Sequence, residues 1–291
     1  MKRLFLYTIK QILMHPGVIG WGILFILFWG VIGAYIGGPQ LVNQLLSSPS
    51  LKDAPATVQQ SVEHMVYLQY TSGWYANLVI MSLSAIATGV ASVLYYQTGT
   101  LPYLIRYSKL KTSTYFISTY SGNLIASLVL EALLTAVTVY MFSNNSVGIT
   151  ATPSKIKIII PTILLGSIFF VSFSTLLDLI IIKLHAYKFQ NLFNYIPLIL
   201  GFLAFAIFTY VTLKSSAVYY SNPYMAIEIL LYYGYFGSFK FANATGVETT
   251  LNLSLPMLFL SIVAWTSILN IINYILLRKM YYVSLEEGRM I

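Results

Sequence analysis

The chain has 291 residues, of which 58% are hydrophobic and only 8% are charged, with a mean hydropathy of +0.77. An average soluble domain is about 25% charged, so a water-soluble fold is excluded and the chain reads as an all-α integral membrane protein. The absence of cysteine excludes disulfides and thiolate metal sites. The net charge of +8 is better explained by membrane orientation than by nucleic acid, as the loop charges below show.

Residues 1–16 come before the first apolar run. Phe5, Ile9, Ile12 and Leu13 share one helical face, while Lys2, Arg3 and Lys10 are polar. This pattern predicts an amphipathic helix lying in the cytoplasmic interface. A signal peptide fits poorly, because Lys10 and Gln11 break its apolar core and no small-residue cleavage site follows.

Residues 17–291 form a six-span domain. A spanning helix needs roughly 20 mainly apolar residues. The stretches that qualify are 18–37, 73–97, 114–142, 158–183, 193–213 and 256–278. Span one holds a G-x-x-x-G at Gly33 and Gly37, with Gly30 one turn before. Span two carries Ser84, Thr88 and Ser92 on one face. Small residues let helices approach closely in lipid, so both sets are candidates for a pathway wall or for helix packing. The loop 38–72 between these spans contains Val58, Val62, Met65 and Val66 at helical spacing.

After span two comes the basic gap 97–111, with Arg106, Lys109 and Lys111. Gly99 permits a tight exit from the helix, and Pro102 suits the first turn of a short new one. Leu101, Leu104 and Ile105 then form an apolar knob with a basic rim. A groove on a soluble partner would take such a knob, whereas a plain topology-fixing loop would need only the charges.

Two acids lie within apolar runs. Asp178 in span four is about one turn from Lys183, which predicts an interfacial ion pair. Glu131 in span three has no Lys or Arg deep within a predicted span. A charge at mid-bilayer costs on the order of 3 kcal/mol or more. Glu131 is therefore expected to be a structural hydrogen-bonding group, with protonation, contact with water and proton coupling as the other readings. Pro197 and Gly201 are candidates to break span five. The loop 214–255 is dense in aromatics, among them Tyr219, Tyr220, Tyr224, Tyr232, Tyr233 and Tyr235. It is expected to form one or two short helices dipping into the outer interface.

With the N-terminus inside, the inner segments hold eleven Lys and Arg and the outer segments five. The bias places both termini in the cytoplasm of a cell-membrane protein. There is no P-loop, no H-E-x-x-H and no G-x-S-x-G. His15, His64 and His185 lie in separate regions. The chain is therefore expected to have no catalytic residues, no metal and no cofactor of its own.

The arrangement as a whole resembles the permease subunits of type-2 ATP-binding-cassette exporters. It shares an N-terminal interfacial helix, six spans, a short basic loop after span two and a long loop before span six. Locally, Gly99, Thr100, Leu101 and Leu104 match the Gly-Thr-Leu segment that follows the second span in that family, and Arg106 matches approximately. Gln97 departs from the family's usual acid. Ser221-Asn222-Pro223 matches a Pro after an outer-face turn. The resemblance implies that Gly99, Thr100, Leu101, Leu104, Ile105 and Arg106 couple to a cytoplasmic ATPase, which holds the ATP and Mg. It also implies a second permease chain, membrane lipid as the surrounding partner, and no nucleic acid. The rival classes are an ion-coupled secondary transporter, marked by several intramembrane charges and an internal repeat, and a scaffold subunit without a transport path.

Topology is testable because the chain has no native cysteine. Gln60→Cys and Thr245→Cys should react with an impermeant thiol reagent on intact cells. Ser108→Cys and Leu285→Cys should react only after the membrane is opened. Labelling of position 108 from outside would invert the orientation.

Overall fold

The computed structural model describes residues 2–52, 54–107, 112–184, 187–211, 215–242 and 248–280; for residues 92–107 and 277–280, among others, it describes only the backbone. The protein is all-α apart from one small hairpin, and six of its helices are long and apolar enough to cross a membrane. The end of the bundle that carries the N-terminus is called proximal below, and the opposite end distal.

Helix α1 (Lys2–Leu13) packs along α6. It buries Thr8 and Ile12 and leaves Arg3, Leu6, Tyr7 and Lys10 exposed. The first span runs Val18–Leu46, beyond the expected 18–37. It alternates π-helical Val18–Leu24, α2 (Phe25–Val31), π-helical Ile32–Gly37 and α3 (Gly38–Leu46). π-helical turns disturb the regular hydrogen-bond ladder, and side chains here reach the backbone within them. Ser82 Oγ donates to Gly22 O (3.4 Å), Tyr70 OH to Gly33 O (3.0 Å) and Asn145 Nδ2 to Ala34 O (2.8 Å).

After the short α4 (Pro49–Lys52) comes α5, one helix of 52 residues from Ala56 to Tyr107. At 1.5 Å per residue it is about 78 Å long, more than twice the roughly 30 Å hydrocarbon core. Two expectations change here. The loop 38–72 is almost entirely helical, because the Val58–Val66 pattern joins the span instead of standing apart. The helix also continues through Gly99 and Pro102 instead of ending at Gly99. A packed upstream helix supplies the nucleus, and extension then needs only one hydrogen bond per residue. A glycine opposes this by about 1 kcal/mol and a proline by about 3.

Every residue of α5 from Tyr75 to Ala91 is buried. Around it pack α1, the first span, α6 (Thr112–Ser143), α7 (Ile156–Lys183), α8 (Gln190–Tyr210) and α10. The polar side chains of α5 mostly turn back onto their own helix. Thr71 donates to Tyr67 O (2.9 Å), Ser72 to Leu68 O (2.6 Å) and Ser84 to Ile80 O (2.7 Å). Helix α8 stays unbroken with Pro197 inside it, and its Gly201 lies against the Ser84 side chain of α5. Large apolar side chains such as Phe28, Leu133, Leu203 and Ile271 are exposed on the outer faces, where lipid would meet them.

Before the last span, α9 (Ser216–Ser221) and α10 (Pro223–Phe236) are followed by β1 (Lys240–Ala242) and β2 (Glu248–Thr250). The strands pair antiparallel with Lys240 opposite Thr250. Helix α11 (Leu255–Met280) closes the bundle against α7 and α10.

The glycines of the first span mark where this packing is closest. A methyl on Gly33 would stand 2.8 Å from the Trp74 ring, whereas one on Gly73 would meet nothing within 4 Å. Gly33→Ala should therefore destabilise the protein by about 1–3 kcal/mol through overpacking. Gly73→Ala should stabilise it by up to about 1 kcal/mol through helix propensity. Thermal unfolding of the two variants in detergent checks the contrast; equal midpoints would remove the close contact.

Candidate functional site

Helices α9 and α10 form a hairpin that enters the bundle from its distal end and turns back inside it. The distal end of α10 is fixed where Ser154 N donates to Tyr235 O (2.9 Å) and Lys155 N to Gly234 O (2.8 Å). Gly237 ends the helix at φ 96°, a left-handed conformation that glycine adopts without strain. The Lys155 ammonium donates to Gly237 O (2.8 Å) and lies over the Tyr233 ring, 4.0 Å from its centre.

The other end of α10 lies deep. Tyr224 packs against Phe169 and Phe170, with ring centres 5.8 and 5.0 Å apart, and these residues are halfway along α7. Trp265 Nε1 donates to Ser221 O (2.9 Å); Trp265 is ten residues into α11, about 15 Å from its distal start. Ser221-Asn222-Pro223, expected in an outer-face turn, is thus the inner corner of this hairpin. A helix break at bilayer depth is tolerated only where protein satisfies the freed backbone groups. Here Ser261 Oγ donates to Tyr220 O (2.5 Å), Trp265 caps Ser221, and Tyr224 N donates to Asn222 Oδ1 (3.0 Å). Proline at the first position of α10 removes one donor that would otherwise need a partner.

Beside this corner is an apolar cavity of about 300 Å³, lined by Phe169, Phe173, Leu203, Asn222, Tyr224 and Trp265, among others. Leu203 and Trp265 are exposed on α8 and α11, so the cavity faces the lipid side of the bundle.

Among the described residues three acids are buried: Glu131 on α6, Asp178 on α7 and Glu228 on α10. The carboxylate oxygens of Asp178 and Glu228 have no hydrogen-bond partner there. One expectation changes. Asp178 and Lys183 do not pair, since Asp178 is buried and Lys183 exposed. Five residues turn a helix by about 500°, which puts the two side chains roughly 140° apart. Glu131 has the Ser82 hydroxyl of α5 as its hydrogen-bonding neighbour, and that hydroxyl also lies 3.4 Å from Gly22 O. Tyr75, also near Glu131, pairs with Thr135 (3.0 Å), and Thr135 donates to the backbone carbonyl of Glu131 (2.8 Å). Among the described residues, no three acids or histidines converge as a metal site would require.

Compared with protein-family models, with curated proteins and with solved structures, the chain matches none. The geometry alone carries the functional reading.

The expected site residues divide into two groups. Gly30 faces Met141 and Leu78, Gly33 faces Trp74 and Gly37 faces the Tyr70 hydroxyl. Ser84 and Thr88 lie in the buried face of α5. These five pack within one chain. For Ser92, Gly99, Thr100, Leu101, Leu104, Ile105 and Arg106 only the backbone is described, and Lys109 and Lys111 lie outside the described residues. Sequence reasoning passed over Glu228, which sits in the aromatic segment assigned to the interface. The run Met225–Leu231, apolar on both sides of the acid, was the available signal.

The corner can be tested through its caps. Trp265→Phe keeps an aromatic ring, though a smaller one, but deletes the donor to Ser221 O, and should cost about 1–3 kcal/mol for an unsatisfied carbonyl. Denaturation in detergent should show the loss. No loss would mean that lipid or water reaches the corner.

Proposed function

We propose that the chain is the membrane-spanning permease subunit of an ATP-driven type-2 ATP-binding-cassette exporter. The observation that best supports this reading is the re-entrant hairpin before the last span, in a bundle built around one continuous second-span helix. A hairpin that plugs the distal half of the bundle is a natural gate for a path opening toward the proximal side. Helix α5 supplies the matching lever. It runs 16 residues past Ala91 to Tyr107, about 24 Å, without a break. A push at its proximal end would move the packed stretch Tyr75–Ala91 directly.

In this reading α1 lies in the cytoplasmic interface, both termini face the cytoplasm, and the protein works in the cell membrane. The segment 98–111 docks on a soluble ATPase that binds ATP and Mg, and substrate leaves between two permease chains, identical or related. The chain itself performs no catalysis. An ion-coupled transporter is the second reading, favoured by one observation: the three buried acids Glu131, Asp178 and Glu228.

The docking segment decides between the motor reading and a loop that only sets topology. Burying one Leu contributes roughly 2 kcal/mol, while an exposed ion pair contributes about 0–1 kcal/mol. Leu104→Asp should therefore leave the bundle inserted but release the ATPase on purification or uncouple its hydrolysis from transport. Arg106→Ala should have a smaller effect that shrinks at high salt. A fully coupled Leu104→Asp complex would remove this assignment.

A further inference from the structure

One face of α6 carries a polar residue at every fourth position: Thr119, Asn123, Ser127 and Glu131, with Thr138 beyond them. All five are buried. Residues four apart form a continuous ridge along a helix, so these groups line up along the span. Ser127 donates to Ser167 Oγ on α7 (3.0 Å). The Thr119 and Thr138 hydroxyls and both amide atoms of Asn123 have no hydrogen-bond partner among the described residues, and Glu131 has Ser82 of α5 as its hydrogen-bonding neighbour. Helix α7 adds its own polar row: Ser167, Ser174 and, four residues further toward the proximal end, Asp178. Ser174 donates to Ala87 O on α5 (2.8 Å), so this row faces the central helix.

Close packing does not account for this arrangement. A buried polar group without a partner costs about 1–3 kcal/mol, and here such groups recur along one ridge. Water satisfies groups of this kind when several polar atoms surround it. Hydroxyls and amides both donate and accept, which is what a file of waters needs in order to pass a proton. The register of the two helices places an acid toward each end. Tyr120 OH meets Ser172 Oγ (2.6 Å) and Ser127 meets Ser167 (3.0 Å), so α6 and α7 run antiparallel. On that register Asp178 lies roughly 24 Å from Glu131 along the bundle.

We propose that Glu131 and Asp178, joined by Thr119, Asn123 and Ser127, form a proton path through the α5–α6–α7 core. A protonated carboxyl at one end gives its proton to the neighbouring water. Each water passes one on, and the carboxylate at the other end takes one up; the donor is then reloaded from the water phase on its side of the membrane, and the acceptor releases its proton to the water phase on the other. Only protons move, and no other bond changes. Among the described residues, Tyr120 of α6 lies beside the path with its hydroxyl on Ser172 Oγ (2.6 Å). Tyr75 on α5 is the titratable neighbour of Glu131, and its hydroxyl is engaged with Thr135. Arg3 and Lys10 on α1, Tyr35 in the first span, and Lys157 and Lys183 on α7 are exposed. Glu228 on α10 interacts with Tyr219 on α9.

The test uses the full-length protein in liposomes with a trapped pH dye, driven by a potassium gradient and valinomycin. Wild-type vesicles should take up protons faster than protein-free vesicles. Glu131→Gln, Asp178→Asn and Asn123→Leu should each reduce the rate to the protein-free level, while Glu228→Gln should leave it at the wild-type level. Infrared spectra of Glu228→Gln, in which Glu131 and Asp178 are the buried acids that remain among the described residues, give a second readout in heavy water: buried protonated carboxyls joined to a water file exchange within minutes. Wild-type flux equal to that of protein-free vesicles, flux unchanged in the three path variants, loss of flux in Glu228→Gln, or a carboxyl band that does not exchange would each overturn the path. No ATPase is present in these vesicles, so such a failure leaves the exporter reading untouched.

Discussion

A helix surrounded by protein inside a bilayer must satisfy its polar side chains without solvent. Between Tyr67 and Ala91 helix α5 meets that constraint at all but the Asn77 amide oxygen, and the rest of the bundle is arranged around the result. Its serines and threonines bond back to carbonyls one turn earlier, which removes them from competition with neighbouring helices. Tyr67, Tyr70 and Ser82 instead reach outward. Tyr67 OH donates to Phe142 O (2.8 Å), and the other two donate to carbonyls of the first span. The central helix thus fixes the position of its neighbours through directional bonds as well as through apolar contact. Hydrophobic attraction between helices is weak in lipid, so those bonds and close small-residue contacts matter more here than in a soluble bundle.

The first span illustrates the same constraint from the other side. Its glycines admit the Trp74 and Tyr70 rings close to the backbone, and its two π-helical stretches present carbonyls that the α5 side chains and Asn145 can reach. A regular α-helix of larger residues would have neither the room nor the same exposed acceptors. The helix irregularity and the small residues are two parts of one solution: a short interhelical distance with acceptors for Tyr70, Ser82 and Asn145.

The number and placement of the spans were legible in the sequence because length and hydropathy decide them. Spans three, four and six begin and end within a few residues of their expected limits. The continuity of α5 was not legible. Gly99, Pro102 and the basic residues around them are local signals for a break, and local signals lose to a helix already held by packing upstream. The depth of α9 and α10 was not legible either. Tyrosines favour the interface when they face lipid, but Tyr224, Tyr232 and Tyr235 face protein, and no periodicity in the segment distinguishes the two. Glu131 and Asp178 were visible as isolated acids. Their burial depends on which helix faces which, and a single sequence carries no record of that.

The corner of the hairpin also sets an order of events. The carbonyls of Tyr220 and Ser221 receive their donors from Ser261 and Trp265, residues made after the hairpin itself. Until the last helix arrives, a seated hairpin would hold two open acceptors among hydrocarbon. The segment must therefore wait near water, or inside the insertion machinery, and enter the bundle together with α11. A chain stalled before residue 265 would therefore carry five spans and an unseated plug, a form that quality-control proteases can recognise.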